Sequence, residues 1–196
     1  MQQFLFVARK YELKLRAEQR LQTRQRIVEA AIELHQTLGP AHTTLSDVAR
    51  GAGIQRHTLY RHFPDERALL RACSSHYTQA NPMPDPEPWL AISDPVERLR
   101  RGLTELYAFY ERNEPMTRSV LRDAETHELT RQIVATSRGP ERQRIHDTLA
   151  TGVRGRRRLA LLQLALAFPT WRTLVRDAGL SNSQAVDTLV RAFAAI

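Results

Sequence analysis

The amino-acid sequence predicts an all-α protein built from two helical parts. Apolar residues recur at helical spacing along most of the chain. Runs that alternate apolar and polar residues between turn signals, which are typical of strands, are not found in the sequence. Five of the ten prolines stand at positions 82, 84, 86, 88 and 95, and they divide the chain into a shorter N-terminal and a longer C-terminal part.

The composition indicates a globular protein that works in a reducing compartment. The chain has 196 residues, of which 42% are hydrophobic and 26% charged, and its net charge is +8. This charge favours a polyanionic partner, but almost all basic residues are arginines, a bias that GC-rich coding DNA also produces. The single cysteine, Cys73, cannot form an internal disulfide. The longest apolar run, residues 159–169, is too short to span a bilayer, and no secretory signal is recognisable. We therefore expect a cytoplasmic protein without a membrane partner.

Four helices are predicted ahead of the proline-rich segment. Residues 27–38 carry an apolar face at helical spacing, and a Gly-Pro pair ends this first helix. Thr44 and Asp47 have the spacing of a capping box and open a short second helix. A third short helix is expected over residues 55–62. Pro64 is expected in the first turn of a fourth helix.

The C-terminal part is predicted to contain further helices after a stiff, partly extended connector over residues 80–95. Ser181 and Gln184 form a second capping-box pattern, which opens the last helix. The other helical stretches start at Asp94-Pro95 or cover residues 116–124, 129–153 and 156–168, and Gly139-Pro140 interrupts the third of them.

The second and third helices have the layout of a helix-turn-helix. Small Ala49 allows the two helices a close approach, Gly53 supplies the turn, and Leu59 anchors the second helix of the pair. Three hydrogen-bonding side chains are then expected to point outward, where they suit base edges and phosphates. They are Gln55, Arg56 and His57.

The same residues resemble a known family. The segments Thr43-Thr44-Leu45-Ser46-Asp47-Val48-Ala49, Ala52-Gly53-Ile54 and Thr58-Leu59-Tyr60-Arg61-His62-Phe63-Pro64, followed by Leu69-Leu70, are similar to the DNA-binding signature of the TetR family of bacterial transcriptional regulators. The resemblance is strong over residues 23–77 and looser over residues 107–124 and 168–180. It implies a homodimer with a ligand pocket in each C-terminal domain, released from its operator when an effector binds.

The resemblance implies roles by position. Thr44, Tyr60 and His62 match places that usually contact phosphates, and Gln55, Arg56 and His57 match places that usually approach bases. Many members carry a small residue where Gln55 stands and Gly where His57 stands, so the base preference cannot be copied from a relative. Many also carry a phosphate-binding Lys where this chain has Glu66, a contact that neighbouring Arg67 would have to supply.

The expected domains follow from these observations. The N-terminal extension carries Arg9, Lys10, Lys14, Arg16 and Arg20, and both a DNA-binding arm and a frayed start are consistent with it. The boundaries are residues 1–22 for the N-terminal extension, 23–77 for the three-helix helix-turn-helix domain, 78–95 for the Pro-rich connector and 96–196 for a larger helical effector-binding and dimerisation domain.

Two sets of apolar residues in the C-terminal part are candidates for function. The aromatic and apolar side chains of the first set suit both an effector pocket and a core; they are Tyr107, Tyr110, Met116, Leu121, Phe168 and Trp171. The second set forms two stripes that pairing with a second copy would cover, placing two recognition helices about 34 Å apart; it contains Leu159, Leu162, Leu166, Val186, Leu189, Val190 and Phe193.

The sequence favours a ligand-responsive DNA-binding repressor over an enzyme. No nucleophile with a neighbouring base, no partnered pair of carboxylates and no glycine-rich phosphate loop is recognisable, so we predict no catalytic residues. The same search predicts no cofactor and no metal site.

The partners expected are a double-stranded DNA operator, a small-molecule effector and a second copy of the chain. The alternatives are a DNA-binding scaffold that binds a protein through its C-terminal domain, and a small ligand carrier or enzyme. The basic cluster at Arg154 and residues 156–158 is interpreted as a solvated helix start rather than a nucleic-acid or lipid patch.

Overall fold

The computed structural model describes the backbone of residues 2–196 and the side chains of residues 14–196. This part of the chain forms α-helices and short 3-10 or π turns, with no strand among the described residues. The all-α fold class is therefore confirmed. The helices are α1 (Gln2–Thr37), α2 (Leu45–Gly51), α3 (Arg56–His62), α4 (Glu66–Ala80), α5 (Pro95–Arg112), α6 (Glu114–Ala124), α7 (Glu128–Ser137), α8 (Gly139–Ala150), α9 (Arg156–Ala165), α10 (Phe168–Arg172) and α11 (Asn182–Ala194).

Helix α1 is longer than the apolar pattern predicts. The sequence indicates a helix over residues 27–38, whereas α1 is continuous from Gln2 to Thr37. The apolar pattern does not extend further because residues 14–26 are mostly exposed, and the first buried side chain is Ile27. Residues 2–22 and the first helix of the N-terminal domain are thus one element. The side chains of Arg9 and Lys10 lie outside the part of the chain whose side chains are described.

Helices α1 to α4 share a small core at the N-terminal end of the chain. Ile27 and Leu59 have no exposed surface, and Phe63 and Leu69 are almost as deeply buried. Helix α4 begins later than predicted: Asp65 is its N-cap and accepts a 2.7 Å hydrogen bond from the Ala68 amide. Pro64 therefore precedes the cap instead of standing in the first turn, because a carboxylate satisfies a free amide of that turn and proline cannot.

The proline-rich connector packs against the C-terminal part. It contains a short 3-10 helix over Glu87–Ala91 that buries Trp89 with 1% of its surface exposed. The buried guanidinium of Arg98 donates hydrogen bonds to the carbonyls of Ile92, Ser93 and Thr151 at 2.9, 3.2 and 2.6 Å. Since apolar burial and a satisfied buried cation both hold this segment, the stiff, partly extended connector that the sequence predicts also packs against the C-terminal part.

The core of the C-terminal part surrounds α5. This helix places Leu99, Leu103, Leu106 and Tyr107 in the interior, and α8, α9, α10 and α11 contribute to the same apolar cluster. The interrupted 129–153 pattern is resolved into α7 and α8, which join at Arg138. The capping box at Ser181 and Gln184 opens α11 as predicted. In the described part of the chain, no helix combines the length and apolarity that a membrane span requires.

Candidate functional site

Helix α2 begins with the capping box that the sequence predicts. The Thr44 hydroxyl accepts a hydrogen bond from the Asp47 amide at 3.1 Å, and the Asp47 carboxylate accepts from the Thr44 amide at 3.2 Å. The hydroxyl also donates to this carboxylate at 2.6 Å. These hydrogen bonds from Thr44, aided by nearby Arg50, hold the pKa of Asp47 below its usual value. Both donors of Thr44 are therefore engaged within the box, and a phosphate would have to compete for them.

The turn between α2 and α3 depends on Gly53. Its φ of 63° lies in the left-handed region, which glycine adopts without a Cβ clash. Buried Ala49 lets the helices approach, and its carbonyl accepts a hydrogen bond from the Ile54 amide at 3.0 Å. Leu59 anchors α3 with 0% of its surface exposed. The turn and this anchor leave the start of α3 facing solvent.

The candidate base-reading residues lie together on this exposed surface. Gln55 is the N-cap of α3 and makes no side-chain cap hydrogen bond, so its amide is available to a partner. Arg56 and His57 follow in the first turn and are exposed. The Arg56 guanidinium donates to the Tyr60 hydroxyl at 3.0 Å and lies 5.5 Å from the centre of its ring. The structure thus brings these four residues together.

Basic residues of α1 surround the C-terminal end of α3. His62 is half-buried, and its pKa is lowered by desolvation and by the charges of Arg20, Arg61 and Arg24. The guanidinium of Arg24 stacks 4.8 Å from the centre of the Phe63 ring. Of this cluster, Arg20 belongs to the extension for which a DNA-binding arm was one alternative, whereas Arg24 was not predicted as a site residue. The cluster adds positive charge beside the C-terminal end of α3, which suits a DNA backbone.

A cavity of about 130 Å³ lies where the helix-turn-helix domain meets the C-terminal domain. Its walls come from α1 and α4 on one side and from α5, α6, α7, α8 and α10 on the other. Most of the lining is apolar; the N-terminal domain supplies Ile32, His35, Leu70 and Cys73, and the C-terminal domain supplies Phe109, Tyr110, Met116, Val120, Leu121, Ile133, Val134 and Phe168. Because both domains form its walls, an occupant touches both.

Four of the six predicted pocket residues line this cavity, namely Tyr110, Met116, Leu121 and Phe168. Tyr107 and Trp171 do not. Tyr107 is fully buried and donates to the Ala165 carbonyl at 2.9 Å, and Trp171 is fully buried with its indole N–H on Asn182 Oδ1 at 2.9 Å. These two side chains hold α5 against the α9–α10 corner and α10 against the start of α11, so they belong to the core.

Sequence reasoning missed the contributions of α1 and α4 to the cavity. His35 is the clearest case, since it is 5% exposed and lines the cavity. It stands eight residues after Ile27, which places it on the inward face of the first helix, and a polar residue at such a position was a usable signal. Burial lowers the pKa of His35 to about 4, although the charge of nearby Asp123 raises it somewhat. The imidazole is therefore neutral at physiological pH.

The stripes predicted to form a dimer interface lie mostly inside the single chain. Leu162, Val186, Leu189, Val190 and Phe193 have 0 to 7% of their surface exposed and belong to the core around α5. Leu166 is partly buried against this core. Of the seven, only Leu159 is exposed, at 39%. The prediction assumed that one domain could not cover both stripes, but α5 and α8 cover them. Other exposed apolar side chains in this part of the chain include Leu164 of α9 and Ile196, which follows the end of α11.

Comparison with known proteins agrees with this fold and surface. Residues 27–73 match the family described as bacterial regulatory proteins, tetR family. The chain is 41% identical over 51 residues to the HTH-type transcriptional regulator SrpR of Pseudomonas putida, a match that covers 26% of this chain and 24% of that protein. It is 40% identical over 55 residues to the HTH-type transcriptional regulator TtgR, also of Pseudomonas putida, covering 28% and 26%. The match thus spans about a quarter of the length of either relative.

Solved structures extend the likeness of fold to most of the chain. The structure of HlyIIR, a hemolysin II transcriptional regulator, has a TM-score of 0.63 at 16% identity and covers 88% of this chain and 97% of its own. PfmR, a TetR family transcriptional regulator from Thermus thermophilus, has a TM-score of 0.56 at 21% identity and covers 85% and 96%. The architecture is that of a helix-turn-helix domain joined to a larger helical domain. Over residues 27–73 the chain is similar to the TetR family, and over most of its length it shares the fold of solved regulators of this kind.

Proposed function

We propose that the protein is a DNA-binding transcriptional regulator of the repressor type, which leaves a near-palindromic operator when a small molecule binds. The single observation that carries the proposal is the position of the cavity between the helix-turn-helix domain and the C-terminal domain. A ligand that fits one relative orientation of the two domains better than the other shifts the population toward that orientation. The relatives matched over the helix-turn-helix segment are named as transcriptional regulators, which supports the same function.

The DNA-binding surface would be the exposed part of α2 and α3 with the basic face of α1. Gln55, Arg56 and His57 would approach bases, while Thr44, Tyr60 and His62 would contact phosphates. Arg67, the substitute expected for a phosphate-binding Lys at position 66, already donates to Gln132 Oε1 of α7 at 3.0 Å. The hydrogen bond from Arg67 to Gln132 links the start of α4 to the C-terminal domain. To contact a phosphate, the Arg67 side chain would have to give up this hydrogen bond.

Hydrogen bonds between α6 and the end of α1 supply a route from cavity to DNA-binding domain. The Asp123 carboxylate accepts from the Ala41 amide at 2.9 Å, Arg122 donates to the Leu38 carbonyl at 2.6 Å, and Ser119 donates to the Gln36 carbonyl at 3.1 Å. Helix α6 also lines the cavity through Met116 and Val120. A ligand that moves α6 would therefore move the C-terminal end of α1 with it.

A homodimer is part of the proposal, with a face that shares only Leu159 with the predicted stripes. Helix α9 exposes Leu159, at 39%, and Leu164, at 55%, and Ile196, two residues after the end of α11, is 52% exposed. Helices α9 and α11 contact each other, so these residues can contribute to one surface. Packing two such surfaces together would bury exposed leucines and give a two-fold molecule with two recognition helices.

Fluorescence anisotropy with labelled DNA tests the function. The DNA that flanks the coding region of the protein and a shuffled duplex would be titrated at several salt concentrations. Tight binding to the native DNA alone, with a moderate salt slope, is the expected result. Equal and steeply salt-dependent binding to both duplexes would mean that the protein binds DNA only through its positive charge, without reading the sequence. The absence of binding to either duplex would contradict autoregulation and direct the search to genomic fragments.

A further inference from the structure

His35 is a buried polar side chain that the protein itself leaves unpartnered. The residue is 5% exposed and lines the cavity; within the part of the chain whose side chains are described its nitrogens make no hydrogen bond, and they are not among the fully enclosed polar atoms that lack a partner. Buried polar groups in native proteins are nearly always hydrogen-bonded, so an open imidazole at a cavity wall marks a place for a ligand group or a water.

The electrostatics near His35 favour an uncharged ligand group. The desolvated imidazole stays neutral at physiological pH, because burial holds its pKa at about 4. A neutral imidazole has one nitrogen that donates and one that accepts. The charge of Asp123 acts on the ring, and this carboxylate already accepts from the Ala41 amide and from Arg122 Nε. An anionic group beside His35 would meet the charge of Asp123, whereas a hydroxyl would not.

The rest of the lining disfavours cations. No Asp or Glu is found among the described residues that line the cavity. The two charged side chains that do line it are arginines. Arg138 pairs with Glu141 at 2.8 Å, and Arg142 is exposed with no carboxylate partner among the described residues. A positively charged ligand would lose its hydration shell there, no carboxylate of the described residues lines the cavity, and the nearby Asp123 carboxylate is already paired with Arg122.

The size of the cavity limits the ligand further. A volume of about 130 Å³ is close to that of cavities that hold a single aromatic ring. The lining is mostly apolar or aromatic and includes Ile32, Met116 and Phe109, which suit a ring of this size.

We propose that the cavity binds a compact, uncharged ligand of the phenol class, with the ring against the apolar walls and the hydroxyl donating a hydrogen bond to the His35 imidazole. The binding step stands on the cavity alone, while an effect of this ligand on DNA rests on the proposed function.

Calorimetric titration of the full-length protein with phenol, toluene and benzylammonium tests the proposal. Toluene has the same number of heavy atoms as phenol but no hydroxyl, and benzylammonium adds a positive charge. We expect phenol to bind roughly tenfold more tightly than toluene, the ratio that one net hydrogen bond supplies. We expect benzylammonium to bind most weakly. Equal affinity for phenol and toluene, or benzylammonium binding as tightly as phenol, would overturn the proposal.

Two variants locate the contact. His35→Leu should lose the preference for phenol over toluene, because the hydrogen-bonding ring is gone. Thr117→Val is the matched control, since Thr117 is another polar residue of the lining and the change removes a hydroxyl at nearly constant volume. It should keep the preference. A preference that survives in His35→Leu and disappears in Thr117→Val would assign the contact to the wrong residue and contradict the proposal.

A measurement on the wild-type protein does not depend on the folding of a variant. The imidazole nitrogen resonances of His35 should shift on addition of phenol and remain nearly unchanged on addition of toluene at equal occupancy.

Adding phenol to the protein–operator complex separates the ligand inference from the proposed function. If the protein binds its operator but not phenol, the ligand inference fails and the proposed function stands. If phenol binds through His35 and operator DNA is not bound, the ligand inference stands and the proposed function fails.

Discussion

Arg56 and Tyr60 form a small unit on the exposed face of α3. The hydrogen bond and the stacking of the guanidinium over the ring restrict the rotamers of a long side chain before DNA is present. A side chain held in this way has less conformational entropy to lose on binding. The geometry therefore favours Arg56 as a specific rather than a diffuse contact.

Arg56→Ala should weaken operator binding by about 1–3 kcal/mol and relax specificity at one position of each half-site. The reason is that the substitution removes a guanidinium that can donate two hydrogen bonds to one base edge. Anisotropy titrations against operators with single base-pair changes would measure both effects. An equal loss on every duplex, including the shuffled one, would instead make Arg56 a phosphate contact.

His35 should give the stability of the protein a characteristic pH dependence. Its pKa is about 4 in the folded state, below the value of 6.5 expected for an unfolded chain. As the pH falls from 6.5 to 4, the unfolded state takes up a proton that the folded state does not, so the free energy of unfolding decreases. The decrease from this group amounts to about 3 kcal/mol and levels off below pH 4.

Urea unfolding of wild type and His35→Leu across this pH range checks the prediction. The variant should lack the component between pH 6.5 and 4, while the carboxylates titrate alike in both proteins. Parallel pH profiles for the two proteins would show that His35 is solvated and titrates normally.

At the scale of elements, the junction between α1 and α6 joins the two domains. Gly39 stands after the C-terminal end of α1 with a φ of 99°, and a Cβ at this position would overlap the carboxylate of Asp123 and the guanidinium of Arg122. The close approach brings the Asp123 carboxylate to the Ala41 amide. The junction thus requires a residue without a side chain.

Gly39→Ala should lower the free energy of unfolding by roughly 1–3 kcal/mol, from backbone strain and from the displaced carboxylate. Gly139→Ala is a suitable control, because nothing lies within 4 Å of its Cβ position and its φ is not in the positive range. Thermal and urea unfolding would measure both variants. A similar small effect in both would mean that α6 can shift to accommodate the added methyl group.

At the scale of the whole molecule, the proposed dimer would determine whether two copies of α3 can reach adjacent half-sites of an operator. Leu164→Arg should disrupt the proposed dimer, since it places a charge in an apolar contact. We expect the apparent mass in solution to halve and operator affinity to fall at least tenfold. Leu90→Arg changes a leucine of similar exposure, at 54%, in the connector and should leave the dimer intact. A Leu164→Arg protein that remains dimeric would exclude α9 from the interface.

Local sequence patterns were sufficient for the helix-turn-helix and its surface. The capping box at Thr44 and Asp47, the turn glycine and the buried Leu59 depend on residues within a few positions of one another. Hydrogen bonds and φ preferences of this kind act over short range, so the sequence predicted them before any tertiary contact was known. The exposure of Gln55, Arg56 and His57 followed from the same helical spacing.

The partners of the apolar stripes could not be predicted in this way. Helical spacing identified Val186 and Leu189 as one face of a helix but could not say that this face is buried in the same chain. It also could not bring His35 of α1 into one cavity with Phe168, which lies far away in sequence. The sequence by itself determined most helices, the capping boxes at Thr44 and Ser181 and the exposed start of α3, because those depend on local hydrogen bonds and periodicity. Only the tertiary structure decided which faces cover one another and where a cavity remains, because packing depends on the shapes of elements distant along the chain.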